Sequence, residues 1–253
     1  MRVIGTIEAR MGSSRLPGKT LKLIYKDMTL LECVVRRFQL CKQVNEIVVA
    51  TSVSTQDDSI ALWCRRQGIK CSRGSEENVL DRVVQALKNC RADAIVQMGA
   101  DSAYLDFELI DQLVERYRDG DYDYVCNDMK LTYPLGIYGH VVNANTLVKI
   151  NERLDLSEED REDVVRYVFE HPEQYQIVNI ESSEEFRYPE LRFTIDYPED
   201  LRQAQEIYAF FQSYSFTTAD LIELYKNQQS MFERTKGLIQ NSAAFLKKDD
   251  FHE

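Results

Sequence analysis

The chain has 253 residues, 44% of them hydrophobic and 29% charged. That is the balance of a globular protein long enough to bury a core without disulfides or a structural metal. Only 10 Gly and 5 Pro exclude collagen-like and low-complexity readings, and 42 acids against 31 bases give a net charge of −11, which disfavours nucleic acid and anionic membranes as partners. No apolar run reaches the roughly 20 residues that span a bilayer, and Glu8 interrupts the N-terminal apolar stretch too early for a signal-peptide core. The six cysteines form no C-x-x-C pair and are expected as free thiols of a cytoplasmic protein.

In chain order, residues 3–7 read as an apolar strand and 9–18 as a turn-rich loop. Thr29 and Glu32 form a capping pattern before Leu30, Leu31, Val34, Val35 and Phe38 at helical spacing. Residues 46–51 read as a buried strand. A helix starts at Thr55 and stops at Gly68, a short strand covers 69–72, and Val79, Val83, Val84 and Leu87 mark the next helix. Residues 94–98 are a strand, Asp106 caps a helix ended by Gly120, and 122–126 is again strand-like. This alternation predicts an α/β fold, a mostly parallel sheet with helices on both faces and ligands outside the carboxyl ends of its strands. The second half is less regular. Strands are expected at 138–142, 175–180 and 191–195, and helices over 157–170, from Pro198, from Thr218 and from about Ser230. Residues 247–253 read as a frayed, charged end.

The loop after the first strand carries the strongest chemical signal. Between Ala9 and Lys26 there are five basic residues and no acidic one. Small residues there let backbone N–H groups approach phosphates that Arg and Lys neutralise, although a solvated basic loop fits the composition equally well. A P-loop does not fit: Gly12 and Gly18 are one residue too far apart, and Pro17 removes an N–H donor. Asp101 follows the strand at 94–98, where a carboxylate can hold Mg²⁺ beside a nucleotide or simply make a turn. Asp196 ends the expected strand at 191–195, where it can hold metal or cap the next helix. The segment from Arg73 to Arg82 reads either as a base-recognising turn or as a capped helix start. His140 and His171 have no second ligand at zinc spacing, and no G-x-S-x-G elbow is present.

The run Ala9-Arg10-Met11-Gly12-Ser13-Ser14-Arg15-Leu16-Pro17-Gly18-Lys19 resembles the A-R-M-x-S-x-R-L-P-G-K signature of the bacterial cytidylyltransferases that activate acidic sugars such as 3-deoxy-manno-octulosonate and the nonulosonic acids. The spore-coat polysaccharide type is the nearest branch. The likeness continues through Val48-Val49-Ala50-Thr51, Asp57-Asp58-Ser59-Ile60, residues 73–82, Asp101, Tyr133-Pro134-Leu135-Gly136 and Leu191-Arg192-Phe193-Thr194-Ile195-Asp196, covering about residues 2–210. It implies a Rossmann-like nucleotide-diphospho-sugar transferase fold and a nucleotide site for CTP from Ala9, Arg10, Met11, Gly12, Ser13, Arg15, Lys19, Arg73, Ser75 and Asp81. Arg10, Lys19 and Asp101 are the expected catalytic residues, Asp101 and Asp196 the expected Mg²⁺ ligands, and a homodimer the expected assembly. A single domain over 1–229 is expected, with its nucleotide half at about 1–128 and its acceptor and dimerisation half at about 129–229. Residues 230–253 would form a helical extension and tail.

The departures lie mostly on the acceptor side. Glu8 stands where relatives have Gln, and Gln97 where they have Arg. Residues 134–141 lack three carboxylates of the family pattern, and Asp163 replaces a histidine. Tyr138, His140 and Arg161 are the acceptor-side candidates. A partner protein without transfer activity, or a transferase using another nucleotide, are the rival readings.

Overall fold

The structure, a computed structural model, describes residues 1–238; the expected tail at 247–253 and most of the expected extension at 230–253 lie outside the described residues. Strands β1 (Val3–Glu8), β4 (Glu46–Ser52), β5 (Lys70–Gly74) and β6 (Ala94–Gly99) are parallel. β7 (Tyr124–Cys126), β8 (His140–Asn143) and β9 (Ile177–Asn179) complete a mixed seven-stranded sheet in the order β5-β4-β1-β6-β8-β7-β9. β8 runs antiparallel to both β6 and β7. The chain steps from β1 towards β4 on one side and β6 lies on the other, so the crevice of the sheet opens at the carboxyl ends of β1 and β6.

Alternation along the strands sends side chains to two apolar layers. Val3, Ile7, Val49, Val96, Met98 and Val141 face the layer closed by α1 (Leu30–Phe38), α4 (Phe107–Arg118), α8 (Pro198–Phe211) and α9 (Thr218–Asn227). Ile4, Val48, Ala50, Ile95, Tyr124 and Val142 face the layer closed by α3 (Val79–Cys90) and α5 (Ala144–Asn151). On that second face, Thr6, Glu8, Gln97 and His140 continue the strands beyond the apolar layer towards the crevice. Short polar caps start the helices: Thr29 accepts from the Glu32 N–H, Asn78 from Asp81, and Asp106 from Glu108 and Leu109. α2 (Asp58–Gln67) ends at Gly68, whose φ of 68° is the left-handed cap that glycine adopts without strain.

Three sequence expectations are corrected. Residues 191–195 form no strand; they make only an isolated bridge, Leu135 to Arg192, because Arg192 turns into a buried ion pair instead of a ladder. The helix expected over 157–170 is two short ones, α6 (Glu158–Glu162) and α7 (Arg166–Glu170), broken where the Asp163 carboxylate accepts the Val165 N–H. The expected helix near Ser230 is a 3-10 segment, Gln229–Thr235. The hairpin of β2 (Leu23–Tyr25) and β3 (Met28–Thr29) and the helix α5 were not expected. Among the described residues no helix is long and apolar enough to cross a membrane.

Candidate active site

The basic loop leaves β1 at Ala9, whose N–H is held by the Ala50 carbonyl at 3.1 Å. The Met11 N–H donates to Asp57 Oδ1 at 2.7 Å, and the Met11 carbonyl accepts from Ser13 at 3.0 Å and Gly18 at 3.1 Å. Gly18 takes φ 69°, and Leu16 is buried, so the loop is pinned at its root, its middle and its end. Gly12 is exposed and Ser13 half-buried.

Pinning directs Arg15 and Lys19 to one point. Lys19 Nζ donates to Asp101 Oδ2 at 2.6 Å, the Ile195 carbonyl at 2.7 Å and Asp196 Oδ1 at 3.1 Å. Arg15 Nη2 reaches the same Asp196 oxygen at 2.7 Å. Asp196 is only 4% exposed. Burial opposes its ionisation, but Lys19, Arg15 and Arg192 outweigh burial and hold its carboxyl below the usual range. Lys19 is likewise disfavoured by burial, and its two carboxylate partners reverse the sign and raise it. Asp200 fixes the whole corner: it accepts from Arg192 Nε at 2.8 Å and from the Asp196 and Tyr197 N–H groups, both at 2.9 Å. Asp200 therefore caps α8, and Asp196 is free to face the loop.

Beside this corner lies a cleft of about 580 Å³, adjoining a smaller hollow of about 250 Å³ under the loop. Glu8, Arg10, Arg15, Asp101 and Asp196 border both. Arg10 pairs with Glu162 at 3.1 Å across the rim, where both groups are about half exposed and the pair adds little stability. The cleft floor is a polar row. Gln97 donates its amide to Glu8 Oε2, and its Oε1 faces His140 Nδ1 at 2.8 Å; His140 Nε2 meets Asp128 Oδ2 at 2.8 Å. Glu8 also accepts from the Thr6 hydroxyl at 3.3 Å. Burial pushes the Glu8 carboxyl up to about 8, against the lowering effect of Gln97 and Arg82.

The residues expected at the site separate accordingly. Ala9, Arg10, Arg15, Asp101, Tyr138, His140 and Asp196 line the cleft, while Ser13 and Lys19 line the smaller hollow. Met11 instead packs against the core, and exposed Gly12 lines neither space. Arg73, Ser75 and Asp81 do not line either space. Arg73 donates to the Ser52 carbonyl at 2.8 Å and pairs with Asp58 at 2.7 Å, Ser75 accepts from the Asn78 N–H, and Asp81 accepts from Asn151 at 2.9 Å. Arg82 of the same segment is the residue that reaches the cleft. Arg161 also points elsewhere, because the break at Asp163 turns Arg166, not Arg161, to the cleft. His140 lines the cleft but has both ring nitrogens engaged. Tyr138 shares a hydrogen bond of 2.9 Å with Ser102, and burial raises its phenol. The part played by Arg82, Gln97, Asp128 and Arg166 was missed; for Arg82 and Gln97 the signal was their place inside family motifs.

The sequence matches the Cytidylyltransferase family over residues 4–249, and the chain belongs to that family of nucleotidyltransferases. It is 37% identical over 212 residues to the spore coat polysaccharide biosynthesis protein SpsF of Bacillus subtilis, covering 81% of this chain and 86% of that protein. It superposes on a cytidylyltransferase from Leptospira borgpetersenii with a TM-score of 0.86 at 28% identity, covering 95% and 100% of the two chains. A CMP:2-keto-3-deoxy-manno-octonic acid synthetase complexed with CTP shares the fold, with a TM-score of 0.62 at 16% identity over 83% of this chain and 100% of that one. The fold is that of the nucleotide-diphospho-sugar transferases.

Proposed function

We propose that this enzyme transfers CMP from CTP to an acidic sugar or related acceptor, releasing pyrophosphate, with Mg²⁺, in the synthesis of surface-polysaccharide or glycan precursors. The observation that carries the reading is the convergence of Lys19 and Arg15 on Asp101 and Asp196 where the hollow under the loop meets the larger cleft. In an acidic chain, cations gathered at this corner support a triphosphate site there.

Asp101 and Asp196 fit a divalent cation. They already share one positive group, the Lys19 ammonium, so the pair is built to hold a cation between two carboxylates. Among the described residues no cluster of three or more metal-ligating side chains exists, so substrate phosphates and water would complete the coordination. Bound Mg²⁺ would polarise the α-phosphate and neutralise charge on the triphosphate. The chain's own groups do the rest. Arg10, Arg15 and Lys19 bind the β- and γ-phosphates and stabilise charge on the leaving pyrophosphate. The larger cleft takes the acceptor. Leu131, Leu135 and Phe193 exclude water there, and Arg82 and Arg166 offer cations to an acceptor carboxylate. We also propose a homodimer through the less regular second half.

The test is pyrophosphate release from CTP and Mg²⁺ with 3-deoxy-manno-octulosonate, N-acetylneuraminate and related acids, with the CMP-linked product identified by mass. Tight CTP binding with no release across such acceptors would support the partner-protein reading instead.

A further inference from the structure

We propose that Glu8 is the general base of the transfer, taking the proton of the acceptor hydroxyl, and that Gln97, His140 and Asp128 position its carboxylate. The inference rests on the transfer reading above. Three observations support it. First, Glu8 borders both the hollow under the basic loop and the acceptor cleft, which is where, on the transfer reading, the acceptor oxygen would meet the α-phosphorus. Second, the other carboxylates that border both spaces, Asp101 and Asp196, hold Lys19. Glu162, His140 and Tyr138 line the cleft alone and are engaged by Arg10, by Gln97 and Asp128, and by Ser102. Asp163 lines the cleft, but it does not reach the hollow and holds the Val165 N–H. Third, Glu8 is fixed from one side only. Gln97 binds one carboxylate oxygen, and among the described residues the other accepts a single long bond, from Thr6.

Gln97 bridges the row: its Oε1 faces one ring nitrogen of His140, whose other nitrogen meets Asp128, and its N–H₂ donates to Glu8. The charged groups that bear on Glu8 are Arg82 from α3 and Asp163 from the turn between α6 and α7. Glu8 contributes its own charge to the surroundings of Tyr138. Burial pushes the Glu8 carboxyl up to about 8, close to the operating range that favours a base. In the step, the acceptor O–H proton passes to the Glu8 carboxylate as the acceptor oxygen forms its bond to the α-phosphorus. The bond from that phosphorus to the bridging oxygen breaks, and pyrophosphate leaves with the electron pair.

The experiment measures kcat against pH for wild type, Glu8→Gln and Gln97→Ala, with CTP, Mg²⁺ and the acids named above, and CTP affinity by calorimetry. Wild-type kcat should rise with pH through the Glu8 titration. E8Q should lose about 100-fold or more in kcat and lose that limb, with CTP affinity unchanged. Q97A removes a donor that stabilises the carboxylate, so its limb should move to higher pH, a shift that a purely structural role would not produce. An E8Q enzyme as fast as wild type, an E8Q enzyme keeping the limb, or an unmoved limb in Q97A overturns the role of Glu8 while leaving the transfer reading intact. A wild type that releases no pyrophosphate overturns both.

Discussion

Replacing Asp196 by Asn isolates the electrostatic corner that organises the site. The carboxylate is buried and serves Arg15 at 2.7 Å, Lys19 at 3.1 Å and Arg192 at 3.4 Å. Removing one partner of a buried ion pair costs about 3–5 kcal/mol when the surviving charge is left uncompensated. Here Lys19 keeps Asp101 and Arg192 keeps Asp200, so the expected cost is lower, about 2–3 kcal/mol. For a chain of this size that is a fall in melting temperature of about 4–12 °C. The pH dependence adds a second signature. The Asp196 carboxyl lies below its ordinary value of 3.8 in the folded state, so its stabilisation is present above that value and lost as pH falls through the folded one. The deficit of D196N should therefore be full at neutral pH and shrink in acid. Thermal denaturation across pH decides it. A variant that melts with wild type at neutral pH, or a deficit unchanged in acid, would refute the reasoning.

Other consequences are open to similar checks. Arg37 is fully buried and donates to the carbonyls of Leu105, Tyr214 and Phe216 at 2.6–2.8 Å, so Arg37→Ala strands three acceptors and should cost about 3 kcal/mol or more in urea titrations. Gly136 has φ 95°, and a Cβ there would lie 2.5 Å from the Phe193 backbone, so Gly136→Ala should destabilise by about 2 kcal/mol or more and loosen the cleft wall. Glu8 is disfavoured as an anion in the folded state, and folding therefore becomes less favourable as pH rises from its ordinary 4.5 to about 8. E8Q should be more stable relative to wild type at the upper end of that window than at the lower, and equal melting differences at both ends would contradict the burial of that carboxyl.

Much of the parallel half was legible because its signals are local. The apolar strands ending at Glu8 and Gly99, the Asp106 cap and the Gly68 stop all act over a few residues. The basic loop and the two aspartates could be singled out for the same reason, since each follows an apolar segment. What was not legible depends on distant partners. Residues 191–195 alternate like a strand, yet Arg192 pairs with Asp200 and no neighbouring strand is available. The antiparallel insertion of β8 beside β6 cannot be read from periodicity, and it alone brings His140 opposite Gln97. Glu8, Gln97 and His140 each stood out as unusual residues; only the register of β1, β6 and β8 makes them one row. The hairpin turn at Lys26, which takes a left-handed φ of 49°, lacks the glycine that marks such turns.

If the loop and the two aspartates form a metal-assisted CTP site, calorimetric titration of CTP, UTP, ATP and GTP with and without Mg²⁺, on wild type and on Asp101→Ala, should show binding that is selective for CTP, strengthened by Mg²⁺ and weakened by the substitution. Failure to bind any nucleotide, or CTP binding indifferent to both Mg²⁺ and Asp101, would contradict that reading.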